Sequence, residues 1–179
     1  MFHHLIPYLK AEGCKWVVAQ REAHRPMGRP LNDEERGLRC AFFQSSTLEA
    51  VRLREVEEID NPPFYKELDS RGIPPPFDFH LAAGITFIDT VLIAPPAIVF
   101  DDVISIVFHE CVHVVQYEMR GVDGFIADYI AGWASVEFDY FRIPLEMQAD
   151  RLQFLFDRHR HLPFSVEEAV AVHLRQGNS

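Results

Sequence analysis

The chain has 179 residues, is 48% hydrophobic and carries a formal net charge of -10. That length and apolar fraction suffice for one ordinary globular domain with a real core. The acidic balance, with no basic patch, excludes the electrostatics of a nucleic-acid or anionic-membrane binder. No apolar run is long enough to span a bilayer, and residues 1–9 lack the features of a secretory signal. Cys14, Cys40 and Cys111 are odd in number and widely spaced, so they form neither a disulfide framework nor a C-x-x-C zinc pair. A reduced, cytoplasmic setting is the expectation.

Residues 2–24 read as an amphipathic helix with Leu5, Leu9, Trp16 and Val17 on its apolar side, although Pro7 and Gly13 count against it. Residues 25–31 carry two prolines and a glycine and form a loop, after which Asn32 caps a short helix over 33–42. Residues 51–59 read as a strand whose alternation breaks at Glu55-Val56-Glu57-Glu58. Asn61-Pro62-Pro63 ends it, one or two helical turns follow over 64–70, and the prolines of 72–76 impose an extended loop. Residues 85–93, rich in β-branched side chains and bounded by Gly84 and Pro95-Pro96, read as one continuous strand.

Residues 101–120 read as a helix that is apolar almost all round, with Asp101 and Asp102 at its start and Gly121 as its stop. Inside it lies His109-Glu110-Cys111-Val112-His113. Residues four apart share a helix face, so His109 and His113 can offer two imidazole nitrogens to one metal ion. Glu110 sits about a hundred degrees round the helix, placed to take a proton from metal-bound water. Chance alone would supply only about 0.04 such H-E-x-x-H matches in a chain of this composition. Polar groups inside so apolar a helix also need partners. Cys111 points away from both histidines, and a thiolate ligand there is geometrically poor.

A further helix is expected over 122–140, its stripe of Phe125, Tyr129 and Trp133 reading as core. Pro144 opens another over 145–158, carrying Glu146 in its first turn and Asp150 one turn later. A last helix, over 166–174, starts at Ser165 with Glu168 three residues on, a capping-box pattern. His159, His161 and His173 read as surface or helix-end residues.

The H-E-x-x-H helix followed by Glu146-Met147-Gln148-Ala149-Asp150 resembles the gluzincin metallopeptidases. The metzincin pattern is excluded, because its glycine and third histidine would fall on Gln116 and Met119. More narrowly, the run from His109 to Gln116, the preceding Gly84-Ile85-Thr86-Phe87 and the Ile143-Pro144-Leu145-Glu146 start are similar to the short H-E-x-x-H-V-x-Q domain associated with bacterial contractile injection systems, over roughly residues 30–160. The resemblance implies one α+β, mainly helical zincin-like domain. Within it, 1–30 is an N-terminal helix and loop, 31–100 a small sheet region before the H-E-x-x-H helix, and 101–179 the helical metal-binding half. It further implies Zn2+ as cofactor, Glu146 as third ligand beside His109 and His113, Asp150 as the acid orienting a ligand imidazole, and a peptide or protein as substrate.

Three ligands leave a fourth position open, the arrangement of a catalytic zinc, with Glu110 as the base for peptide hydrolysis. An extended peptide is expected to add to an edge of the 85–93 strand, with Phe87, Thr90 and Tyr140 as substrate contacts. The donor for the oxyanion stays open among Tyr129, Tyr140, Arg142 and His173. The competing expectation is a non-catalytic, zinc-stabilised interaction or effector-associated module, which a fourth protein ligand would favour.

Overall fold

The computed structural model describes residues 3–73, 75, 77–94, 103–136 and 139–176. The protein is of the α+β class, mainly helical with one small three-stranded sheet. Helix α1, Ile6–His24, accepts Pro7 because proline falls in its first turn. It buries Leu9, Gly13 and Val17, a stripe at four-residue steps that gives it one inward face. Asn32 caps α2, Asp33–Gly37, through a full capping box: its side chain accepts from the Glu35 N–H, and the Glu35 carboxylate accepts from the Asn32 N–H. That helix is shorter than the one expected over 33–42, and continues as turns. Helix α3, Ser45–Ala50, has no counterpart among the sequence expectations.

Strand β1 is Arg52–Glu55, so the charged run that breaks the alternation also ends the strand. After α4, Tyr65–Ser70, come β2, Gly84–Phe87, and β3, Thr90–Ile93. The expected single strand over 85–93 is therefore a hairpin, with Ile88 and Asp89 as its turn. The chain reverses because Ile88 takes a φ of 65°, uncommon for a β-branched residue and strained. Its neighbour is clamped: Arg21 donates from Nε and Nη2 to the Asp89 carboxylate at 2.8 and 2.7 Å, and Arg25 Nη1 lies 2.9 Å away. The sheet order is β1-β3-β2, with β1 parallel and β2 antiparallel to β3. The hairpin puts β3 in the middle of the sheet.

Helix α5, Val103–Ser135, is two helical arms joined at Gly121, which has φ 64° and ψ 171°. The expected stop at Gly121 is thus a kink, and the second arm ends at Ser135 rather than 140; Tyr140–Arg142 is a single 3-10 turn capped by Asp139. The capping role expected of Asp101 and Asp102 lies outside the described residues. Helices α6, Pro144–Arg158, and α7, Val166–Gln176, complete the chain. Helix α5 packs on α6, α1, β2 and α7, and its first arm is buried on nearly every side. Val107, Phe108, Val112 and Val115 join one apolar cluster with β1, β3, α6 and α7, while Tyr117, Phe125 and Ile130 join another with α1 and β2. No helix among the described residues is long and apolar enough to cross a membrane.

The kink gives a clean test. A Cβ at Gly121 would meet nothing within 4 Å, so any cost of Gly121→Ala comes from the backbone alone, in a region of φ/ψ that is essentially glycine's own. The substitution should lower stability by about 1–3 kcal/mol, read from the denaturant midpoint at unchanged m-value; an unchanged midpoint would show that the kink relaxes freely.

Candidate metal centre

The four-residue spacing of His109 and His113 on α5 turns both rings to the same side, and the Nε2 atoms lie 3.0 Å apart. Helix α6 brings Glu146 to them from its first turn, with Oε2 at 3.4 Å from His109 Nε2 and 3.5 Å from His113 Nε2. The three donors are the His109, His113 and Glu146 set that the sequence predicts, and their ligand atoms converge at a spacing able to hold one metal ion. Ligands about 2.0–2.1 Å from a tetrahedral ion stand about 3.3 Å from one another. The observed 3.0, 3.4 and 3.5 Å match that triangle.

The outward nitrogens decide what the inward ones can do. His113 Nδ1 is 2.8 Å from Gln116 Oε1, and His109 Nδ1 is 3.0 Å from Gln153 Oε1 and 3.3 Å from Asp150 Oδ1. Each Nδ1 faces only oxygen acceptors, so it carries a proton, and in the neutral ring the lone pair is left on Nε2. Tyr129 donates its hydroxyl to Glu146 Oε1 at 2.8 Å, which leaves Oε2 turned to the imidazoles. With the rings neutral, two lone pairs and a carboxylate oxygen face one another, with His113 and Glu146 buried. A proton on one Nε2 relieves one of these contacts, whereas a cation between them relieves all three. The donor set fits a metal ion on that ground.

Electrostatics run the same way. Burial disfavours a charge on His109, but hydrogen bonds to Asp150 and Glu146 raise its pKa well above the ordinary imidazole value. Burial opposes a charge on His113 as well, and the Glu146 carboxylate raises it nonetheless. Burial alone would raise Glu146, yet the two imidazoles override it and hold the carboxyl well below its usual range. Glu110 behaves differently. Its burial raises the carboxyl pKa above the ordinary value, against the pull of His113, His109 and the Thr86 hydroxyl.

Glu110 is not among the converging donors; it lies against β2. Thr86 Oγ1 is 2.7 Å from Glu110 Oε2 and 3.0 Å from the Glu110 carbonyl oxygen. A Cβ on Gly84 would come within 2.9 Å of Glu110 Oε1 and 3.0 Å of Ile106 Cγ2, so the bare glycine is what lets the strand lie this close to the helix. Of the expected substrate contacts, Phe87 and Tyr140 line the cavity beside the centre together with Glu110, His113 and Glu146. Thr90 does not. It is fully buried in the central strand, with its hydroxyl on Asp89, because the hairpin leaves both edges of β3 paired. Among the oxyanion candidates, Tyr129 is held by Glu146, Arg142 is exposed, and the His173 side chain lies outside the described residues.

Sequence reasoning missed Thr86, Gln153 and the structural part played by Gln116. Gln116 is fully buried and also donates from Nε2 to the Leu145 carbonyl at 3.1 Å and to Gln148 Oε1 at 2.9 Å. It ties the H-E-x-x-H helix to the start of α6, one residue before Glu146. A polar side chain three residues past a ligand histidine, in a helix otherwise apolar, was the available signal. A second His/acid group, Glu58, Asp60 and His80, is fully on the surface, and His80 Nδ1 is already 2.7 Å from Asp78. No protein-family model, curated protein or solved structure matches the chain.

Two outcomes follow for metal binding. Gln116→Leu should weaken divalent-metal affinity by about 10- to 100-fold, the usual effect of losing the partner that orients a ligand imidazole, as measured by competition with a chelator. Unchanged affinity would show that Gln116 only packs. The Glu146 carboxylate, with Asp150 at His109, favours the protonated imidazoles of His109 and His113, and a metal ion must displace those protons. Uptake near neutral pH should therefore release protons, seen by calorimetry in buffers of different ionisation enthalpy. Affinity should climb with pH and fall as pH drops below the raised imidazole values.

Proposed function

We propose that this chain is a zinc-dependent peptide hydrolase of the compact gluzincin type, with a zincin-like fold. The observation that carries the proposal is the convergence of His109 Nε2, His113 Nε2 and Glu146 Oε2 at 3.0–3.5 Å beside the buried, separately anchored carboxylate of Glu110. Two nitrogens and one carboxylate oxygen in a buried site suit zinc, and three protein donors leave room for a fourth that is not protein. Zinc held there supplies a Lewis acid and lowers the pKa of a coordinated water toward about 7.

The chain's own residues supply the rest. Glu110, kept apart from the donors by Thr86 and raised in pKa by burial, accepts a proton from the attacking water and returns it to the leaving amine. Strand β2 pairs with β3 alone among the described residues. The 83–94 backbone bond fixes which residues of β2 face its partner, so Gly84 and Thr86 turn their backbone groups to the other side. An extended peptide docks along that edge beside Glu110, adding a strand to the sheet. This moves the docking edge from the central strand bearing Thr90 to β2. The non-catalytic reading needs a closed donor set, whereas among the described residues this group holds three donors.

Glu110→Gln should keep metal content and fold while removing peptide turnover, since Glu110 is a base and not a donor. Thr86→Val should lower kcat with little change in metal affinity, and Thr86→Ser should restore it. Glu146→Ala should lose metal at micromolar chelator. Turnover that survives Glu110→Gln at full metal loading would refute the assignment of the base, and full metal affinity in Glu146→Ala would refute the donor set.

A further inference from the structure

A cavity of about 110 Å³ runs from the metal centre into the space between α1 and the second arm of α5. Its inner wall is apolar: Leu9, Trp16 and Val17 come from α1, and Phe125, Ile126 and Ile130 from α5. Glu110, His113 and Glu146 close its polar end, and Thr86 and Phe87 of β2 form part of its side. Protein interiors pack like organic crystals and seldom keep voids larger than one water molecule. This cavity opens toward solvent and leaves its apolar wall uncovered, so that wall forgoes contacts a bound group would make. Its inner end offers few polar groups to a bound water, which needs two to four polar partners. The Trp16 indole Nε1, in the same wall, is buried without a hydrogen-bond partner, so the wall also presents one unsatisfied donor.

We infer that this cavity is the pocket that selects substrate: it takes a branched aliphatic or aromatic side chain, of leucine to phenylalanine size, next to the peptide bond to be cut. The inference rests on the peptidase reading for its substrate, and on the cavity's geometry for its chemistry. Size sets the class. An enclosed apolar cavity of about 150 Å³ admits benzene; at about 110 Å³ and open at one end, this one suits a leucine or methionine side chain, takes a phenyl ring that stays partly in the opening, and wastes most of its wall on alanine. Position sets the role. The polar end of the cavity is the catalytic carboxylate and two of the metal donors, so a side chain that fills the apolar end has its own backbone beside Glu110 and the β2 edge. Charge excludes the rest, because no cation or anion of the protein lines the inner wall to pair with a charged side chain.

The test uses the full, metal-loaded chain and probes that report with and without turnover. Acetohydroxamate and 3-phenylpropanohydroxamate share a metal-binding head and differ only in an apolar tail. The phenyl compound should bind at least about tenfold tighter, the discrimination expected of a hydrophobic pocket for more than one missing methylene. Val17→Phe and Ile130→Phe, which fill the cavity from opposite walls, should each abolish that difference while leaving acetohydroxamate affinity in place. On a peptide library, the wild-type chain should prefer leucine, methionine or phenylalanine on one side of the cleaved bond, and both variants should shift the preference toward alanine. Equal affinity of the two hydroxamates for the wild-type chain would overturn the inference, with no need for a folded variant. So would a preference that both folded variants leave intact. Tail discrimination without cleavage of any peptide would sink the peptidase reading and leave the pocket standing; cleavage with no side-chain preference would do the reverse. If the chain takes up no metal, indole, which needs neither metal nor turnover, should still perturb the Trp16 and Phe125 ring resonances, and its failure to do so would overturn the pocket.

Discussion

The constraint on which the structure depends is the burial of Glu110 and His113, with His109 largely covered beside them, in a helix whose other faces are almost wholly apolar. A buried polar group left without a partner costs about 1–3 kcal/mol, and more if charged. The first arm of α5 therefore cannot be packed by apolar neighbours alone. Each neighbouring element delivers a polar group at one place: α6 brings Glu146 and Gln153, β2 brings Thr86, and the second arm of α5 brings Tyr129 to Glu146. Gln116 supplies the remaining partner from the helix itself and reaches across to Leu145 and Gln148. The site is thus also the set of contacts that registers α6, β2 and α5 against one another.

The kink at Gly121 follows from the same requirement. A straight helix of 33 residues would carry Tyr129 far from Glu146, since each residue adds about 1.5 Å along the axis. With φ 64° at Gly121 the second arm turns back, so Tyr129 reaches the acid and Phe125 and Ile130 face α1. The two apolar clusters are then separate by construction. One packs the first arm against the sheet, α6 and α7; the other is shared between the second arm, α1 and the β2 side.

How much of this was legible in the sequence depended on whether the signal was local. The H-E-x-x-H pair could be read because a helical period places His109 and His113 on one face, and Glu146 stood out through its fixed place after Pro144. Gly121 was recognised as a break, though its effect as a kink within one long helix was not. The hairpin was illegible for a physical reason. Ile88-Asp89 contains none of the glycine or asparagine chemistry that favours tight hairpins, and its turn is held by Arg21 and Arg25, more than sixty residues earlier in the chain. Reading 85–93 as one strand placed Thr90 at the site, when the reversal buries it in the central strand and brings Thr86 to Glu110 instead. Helix α3 was missed because Gln44 makes no side-chain cap and the helix has only six residues, too short for a period to show.

The N-terminal helix changes its standing most. From sequence, α1 is an amphipathic segment at the edge of the domain, and nothing local connects it to residues 109–146. In the fold its Trp16 ring meets Phe87 edge-on, with centroids 5.0 Å apart, and its Arg21 holds the turn that follows Phe87. Phe87 is the neighbour of Thr86, and Thr86 holds the carboxylate of Glu110. The helix that walls the apolar cavity is therefore the one that packs on the strand anchoring the Glu110 carboxylate. In the proposed reading, a substrate side chain packed against Trp16 and Val17 would press on the same strand edge along which its backbone would lie. Under the proposed function, recognition of a substrate side chain and alignment of Glu110 would share one set of contacts, so a cavity that disfavours small side chains would also disfavour poorly aligned ones.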